Sequence, residues 1–270
     1  MELGLAGRCA AVAASTAGLG LASAQALVDE GTRVAVCASD PRRVAATVDR
    51  LGDRAVGVTA DLSSPDACEK FVSDARAALG GLDILVANGP GPLPGTFATA
   101  PIARYQQALE LNLLSVVRMC HAAVPEMQAR GWGRVVAITS IAVRQPIADL
   151  ILSNTARAGA TGFLKTLARE IARDGVTVNS VLPGLHRTGR VTSVYGAGLD
   201  AAAARIPSGT LGEPEDLRPD RRVPVLGAGG VHHRGGHSGR RGPGPGVALS
   251  SCFRLGTAAP GRPRSARANG

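Results

Sequence analysis

RCAAVAASTAGLGLASAQALVDEG, residues 8–31, is the stretch that decides the fold. RCAAVAA (8–14) is a short apolar run without polar alternation, which predicts a strand covered on both faces. GLGLASAQALVDEG (18–31) has helical spacing and closes on a glycine. AASTAGLG (13–20) joins the two. Gly18 and Gly20 let backbone come close to an oxyanion, and the N-terminus of the following helix favours negative charge there. A plain tight turn uses glycines in the same way, so the rest of the chain has to decide between them.

The pattern repeats downstream. RVAVCAS (33–39) predicts a second strand and PRRVAATVDRLG (41–52) a helix with Pro41 in its first turn. RAVGVTADL (54–62) predicts a third strand, SPDACEKFVSDARAALG (64–80) a capped helix, and LDILVAN (82–88) a fourth strand. Residues 101–130 read as helical, RVVAITS (134–140) as a fifth strand, 152–174 as helical, and VTVNSVL (176–182) as a sixth strand. Apolar strands alternating with amphipathic helices predict an α/β fold, a doubly wound parallel sheet of the Rossmann type. Ligands in such sheets bind at the carboxyl ends of the strands. Asp61, Asn88-Gly89 and Pro183-Gly184 fall at those ends.

Composition sets bounds. The 270 residues are 45% hydrophobic and 19% charged, and they contain no apolar run long enough to span a bilayer. MELGLAGRCA lacks the layout of a secretory signal, so a cytoplasmic protein is expected. The five cysteines have no C-x-x-C spacing and read as reduced, mostly buried thiols. The net charge of +9 is not spread along the chain. Residues 217–270 hold ten arginines and one acid, Asp220, and residues 1–216 are balanced. That asymmetry divides the chain into a domain, 1–216, and a basic tail, 217–270.

Six ordered motifs in residues 5–216 resemble the short-chain dehydrogenase/reductase family, in particular bacterial 3-oxoacyl-(acyl-carrier-protein) reductases. AASTAGLG stands where the family has TGxxxGxG, with Ala14 in place of the first glycine. ADL (60–62) matches the aspartate after strand three. VANGPG (86–91) stands for NNAG. ELNLLSVV (110–117) matches the helix whose asparagine, here Asn112, shapes a proton-relay water. AITSIA (137–142) supplies the catalytic serine, Ser140, and NSVLPGLHRT (179–188) the loop that touches the nicotinamide. The resemblance implies a dinucleotide held by Ser15, Thr16, Gly18, Leu19, Gly20, Ser39, Arg42, Asp61, Leu62, Asn88, Gly89, Arg157, Pro183, Gly184 and Thr188. It implies a carbonyl or acyl-thioester substrate, with no membrane or specific nucleic-acid partner. NADP and NAD both stay open. Ala38 and Ser39 stand where an acid would favour NAD, and Arg42 and Arg43 follow where a 2′-phosphate would lie, which tilts the expectation to NADP.

The catalytic pattern then departs from the family. Members carry a tyrosine thirteen residues after the serine and a lysine four residues further on. Here those positions are Ser153 and Arg157. A phenol titrates near pH ~10 and can be drawn lower by a cation, whereas an aliphatic hydroxyl is a far weaker acid. Arginine stays protonated and cannot join a proton relay as lysine does. The spacing still puts Ser153 and Arg157 on one helix face. His186, in the nicotinamide loop, and Tyr195, in the cover segment 189–210, are candidate replacement acids or plain loop residues. His121 and Lys165 read as packed or surface side chains. The small residues of the cover suggest mobility more than a shaped pocket.

VHHRGGHSGRRG (231–242) stands where the family ends its last strand. Shifted by one base, its codons permit FITGAAIPVDGG, the family's closing pattern. From about Leu217 the chain therefore reads as an out-of-frame version of the last helix and strand. HHxxxH as a metal site lacks acidic support, so no metal is assigned, and an arginine-rich arm could bind nucleic acid only nonspecifically. Glycine and proline density predicts disorder. The expectation is a sheet without its last strand, with a bare edge and a doubtful homo-oligomer. Three functions follow: an NAD(P)-dependent oxidoreductase, a catalytically silent dinucleotide-binding sensor or scaffold, or the inactive product of a frameshifted gene.

Overall fold

The computed structural model describes residues 3–217 and 251–254. Six parallel strands run β1 Cys9–Val12, β2 Arg33–Ala38, β3 Ala55–Thr59, β4 Ile84–Ala87, β5 Gly133–Ile138 and β6 Val176–Leu182. Helices α1 Gly18–Asp29, α2 Pro41–Leu51 and α3 Pro65–Leu79 connect the first four. After β4 come α4 Ile102–Leu109, a π-helical turn Glu110–Leu114 and α5 Ser115–Ala129. α6 Ile151–Ile171 precedes β6, and α7 Gly189–Tyr195 and α8 Leu199–Ala204 follow it. The sheet order is β3-β2-β1-β4-β5-β6, and it reverses direction between β1 and β4. That reversal opens the crevice in which doubly wound sheets bind ligands.

Alternate residues of each strand enter opposite cores, as the period of two requires. Ala11, Cys37 and Val135 face a core built with Phe71, Met119, Met127 and Leu164 from α3, α5 and α6. Ala10, Val12, Val34, Val36, Ile84 and Val136 face the other, built with Leu27, Val44 and Leu51 from α1 and α2. This two-sided burial is why the strands are mostly apolar, with β1 and β4 carrying no polar side chain at all. At the amino end of β5, Arg8 and Arg134 each lie over the ring of Trp132, at 3.9 Å and 4.3 Å from its centroid.

The edge beside β6, expected to be bare, is paired. A four-residue strand, β7 Ser251–Arg254, runs antiparallel to it, with Val181 opposite Cys252. The unpaired N–H and C=O groups of an edge accept any extended segment, and no sequence signal of the missing parallel strand is needed for that. The remaining tail, including VHHRGGHSGRRG and its shifted-frame reading, lies outside the described residues. No helix among the described residues is long and apolar enough to cross a membrane.

Candidate active site

The sheet reversal, the glycine turn and the loops after β4, β5 and β6 enclose one cavity of about 690 Å³. The turn between β1 and α1 is tight. Ala14 sits at φ 46°, in the left-handed region that glycine favours. A methyl group added at Gly20 would collide with the Ala14 carbonyl oxygen and lie 2.8 Å from Asn88 Nδ2. Asn88 Nδ2 in turn donates to the Ala14 carbonyl at 3.2 Å. Gly20 therefore sets how closely α1 meets β1, and it does not itself line the cavity. No side chain caps the start of α1, and its first turn carries no acid.

The structure separates residues that sequence grouped together. Thr16, Gly18, Leu19, Ser39, Asp61, Leu62, Asn88, Gly89, Pro183, Gly184 and Thr188 line the cavity. Ser15 does not: it is fully buried, its hydroxyl donates to the Val12 carbonyl at 2.7 Å, and its oxygen accepts from the Cys37 amide at 2.9 Å. That hydroxyl ties β1 to β2. Arg43, not Arg42, reaches the cavity wall. Arg42 is 95% exposed and leans back toward Asp40, whose carboxylate caps α2 through the Arg42 amide. Asp61 accepts from the amide and hydroxyl of Ser63, and these bonds hold its carboxyl below the usual aspartate range.

At the other end, the close of β5 brings Ser140 to the wall, its oxygen accepting from the Ala142 amide at 3.1 Å. Ser153 and Arg157, one turn apart on the inner face of α6, line the same space. Arg157 Nη1 donates to the Ile138 carbonyl at 3.0 Å. Burial first, and then the charge of Arg190, pull the Arg157 guanidinium down to about 10. It stays a cation at neutral pH. Asn112 stands one layer back, in the π-helical turn. Its Nδ2 donates to the carbonyl of Pro90, which lines the cavity, and its buried Oδ1 has no partner among the described residues. An extra residue in a helical turn re-aims a side chain in this way, and such turns cluster at functional sites.

The cover segment is two short helices. Thr188 accepts from the Val191 amide and caps α7, and a methyl group on Gly18 would touch the Thr188 side chain at 3.2 Å. The cover is thereby held against the glycine turn. Arg190, Val191, Val194 and Tyr195 face the cavity. His186 also lines it. It is nearly buried, with Nδ1 at 3.2 Å from the Gly184 carbonyl and its ring against Gly212. His121 and Lys165 are exposed and do not line it. Among the described residues no group of His, Cys, Asp and Glu is placed to hold a metal ion. Sequence reasoning did not single out Arg190 or Gly91. A cation two residues after Thr188, at the start of a cover of small residues, was the available signal.

Residues 8–196 match the family model described as short chain dehydrogenase. A 3-oxoacyl-(acyl-carrier-protein) reductase of Vibrio cholerae is 30% identical over 215 residues, covering 80% of this chain and 88% of its own. The dehydrogenase/reductase SDR family member 4 of Bos taurus is 32% identical over 215 residues, covering 77% of each chain. Among solved structures, a 3-oxoacyl-(acyl-carrier-protein) reductase of Agrobacterium tumefaciens with NADP bound has a TM-score of 0.76 at 31% identity, covering 82% of this chain and 88% of its own. The L-sorbose reductase of Gluconobacter frateurii, complexed with NADPH and L-sorbose, has a TM-score of 0.75 at 29% identity, covering 81% and 89%.

Proposed function

The chain belongs to the short-chain dehydrogenase family, and from that premise we propose that it is an NADP(H)-dependent carbonyl reductase working without the usual tyrosine. The observation that carries this reading is that Ser140, Ser153 and Arg157 line the same cavity as the glycine turn. The residues present fit a dinucleotide. A cavity of about 690 Å³ suits an extended ligand, and Gly18, at φ 53°, presents bare backbone to it at the first residue of α1. The relatives that carry NADP or NADPH add to the case.

In this reading Gly18 and Leu19 hold the pyrophosphate at the start of α1. Asp61 accepts from the adenine amino group, Arg43 and Ser39 meet the 2′-phosphate, Arg157 binds the nicotinamide ribose, and Pro183, Gly184 and Thr188 flank the nicotinamide. When bound, NADPH supplies the hydride. Ser140 donates a hydrogen bond to the substrate carbonyl oxygen, with Ser153 as a second donor. Arg157 stabilises the negative charge that grows on that oxygen, but at neutral pH its guanidinium releases no proton. The proton comes from His186 or Tyr195, the two titratable side chains on this wall with suitable chemistry.

The full chain is first titrated with NADPH and NADP+ and then assayed on simple ketones and 3-oxoacyl thioesters. Binding with slow turnover is expected. Positioned general acids contribute about 10²–10⁴-fold, so Ser153→Tyr with Arg157→Lys is expected to raise turnover by about 10²-fold. No gain from that double variant refutes the catalytic reading. Tight cofactor binding with no turnover in either chain supports a silent dinucleotide-binding protein, the reading favoured by the missing phenol at Ser153.

A further inference from the structure

We propose that Arg190 is the anchor for a carboxylate on the substrate, so that the site takes oxo acids in preference to neutral ketones. This rests on the reductase reading above and names its substrate class.

The catalytic end of the cavity holds two guanidiniums, Arg157 and Arg190, and no carboxylate. Asp61 is the one acid on the cavity wall, and it stands at the end of β3 beside Ala60 and Ser63, at the adenine end of the site proposed above. Three other partly buried arginines of this protein are paired with acids, Arg8 with Asp83, Arg76 with Glu126 and Arg118 with Glu110, and buried Arg134 is instead satisfied by two backbone carbonyls and the Trp132 ring. Arg187, three residues from Arg190, is paired with Glu213. Arg157 and Arg190 make no ion pair with a carboxylate among the described residues. A partly desolvated cation without a counter-ion is unfavourable, and a ligand anion removes that penalty.

The local geometry leaves the Arg190 fork available. Arg190 Nη2 donates to the Pro92 carbonyl, which pins the side chain across the cavity mouth from the cover to the loop after β4. The guanidinium lies against Gly91, where an added methyl group would be 2.9 Å from Nε and 3.2 Å from Cζ. A guanidinium has five N–H donors, so most of the fork remains for a planar, bidentate partner. Burial lowers the affinity of Arg190 for its proton, and its charge in turn acts on Arg157, so the two cations share one electrostatic environment. Arg157 is taken by the ribose in the reductase reading. Arg190, out on the cover with Val194 and Tyr195, is left for the substrate.

Two oxyanions have the chemistry to meet Arg190: a substrate carboxylate and the cofactor's pyrophosphate. Calorimetry on the full 270-residue chain separates them, using acetoacetate and its neutral methyl ester, each with and without saturating NADP+. NADP+ carries no hydride, so no turnover intervenes. Acetoacetate is expected to bind at least ~10-fold more tightly than the ester. Arg190→Gln is expected to abolish that preference and leave NADP+ affinity within about twofold. Arg190→Lys is expected to keep part of the preference, and Gly91→Ala, which displaces the guanidinium, to weaken it. Equal binding of acid and ester by the wild-type chain overturns the proposal. So does an Arg190→Gln variant that loses NADP+ and keeps the preference, because the guanidinium then belongs to the pyrophosphate. If NADP+ does not bind but the acid is still preferred through Arg190, the anchor stands and the reductase reading falls. If Arg190→Gln fails to fold, the wild-type comparison and Arg190→Lys still decide.

Discussion

Replacing Gly20 by alanine puts the geometry of the glycine turn to a direct test. The new methyl group meets the Ala14 carbonyl, which is backbone and already held at a positive φ, and it crowds Asn88 Nδ2 at 2.8 Å. Neither neighbour is the free end of a flexible side chain. Relief requires α1 to move off β1 or the Asn88–Ala14 hydrogen bond to break. Overpacking of this kind costs about 1–3 kcal/mol, and the hydrogen bond adds about 1 kcal/mol. The gain in helix propensity, below ~1 kcal/mol, offsets part of this. A net loss of about 2–3 kcal/mol is expected, or roughly 4–12 °C in Tm for a domain of this size. Gly162→Ala is the matched control. Gly162 lies on an exposed face within α6, and nothing stands within 4 Å of its added methyl group. It is expected to gain about 0.5–1 kcal/mol. Urea unfolding followed by circular dichroism reads both. A Gly20→Ala protein as stable as the wild type, or the same change in sign for both variants, refutes the close-approach argument.

Two more outcomes follow from side-chain placement. Arg43→Gln is expected to weaken NADP+ binding by about 10–100-fold, the range of a charge-assisted hydrogen bond, with NAD+ little affected and Arg42→Gln near neutral. An equal effect at both arginines, read by fluorescence titration, counts against the assignment. Burial pushes the Cys37 and Cys68 thiols up to about 11 and Cys120 up to about 12, from an ordinary value of 9.0. The folded state thus disfavours the thiolate, so this part of its stability is complete below about pH 9 and is lost as pH rises toward 11. The urea midpoint is expected to fall over that window, and less so in Cys37→Ala. In the native chain at pH 8, these three thiols and buried Cys9 should resist a disulfide reagent; rapid labelling of any of them contradicts the packing.

The strands were legible because both faces of the sheet are covered, so runs such as RVAVCAS carry no competing polar signal. The crevice followed from strand order and from the few polar residues at strand ends. What escaped was phase and partnership. Arg42 and Arg43 are adjacent in one helical turn, and only the seating of α2 on β2 and β3 decides which faces the cavity. Ser15 bears the same hydroxyl whether it meets a ligand or the Val12 carbonyl. Residues 101–130 read as one helix, and the π-helical turn that aims Asn112 at Pro90 has no local sequence signature. His186 is buried through a bridge to Gly212, a contact between distant residues that no motif encodes. The edge strand β7 was missed for a different reason: pairing to an open edge depends on backbone, not on pattern.

Trp132, clasped between two arginines at the amino end of β5, is the only indole in the chain. Ile138 at the cavity lies six residues further along the strand, a span of about 20 Å. Its emission therefore has a single origin. That origin is far enough from the pocket to be spared direct contact with any ligand, yet on the strand that carries Ser140. The protein thus has a built-in optical reporter: a change in intensity without a spectral shift marks energy transfer to a bound reduced nicotinamide, and a red shift marks loss of the arginine clasp as the sheet comes apart.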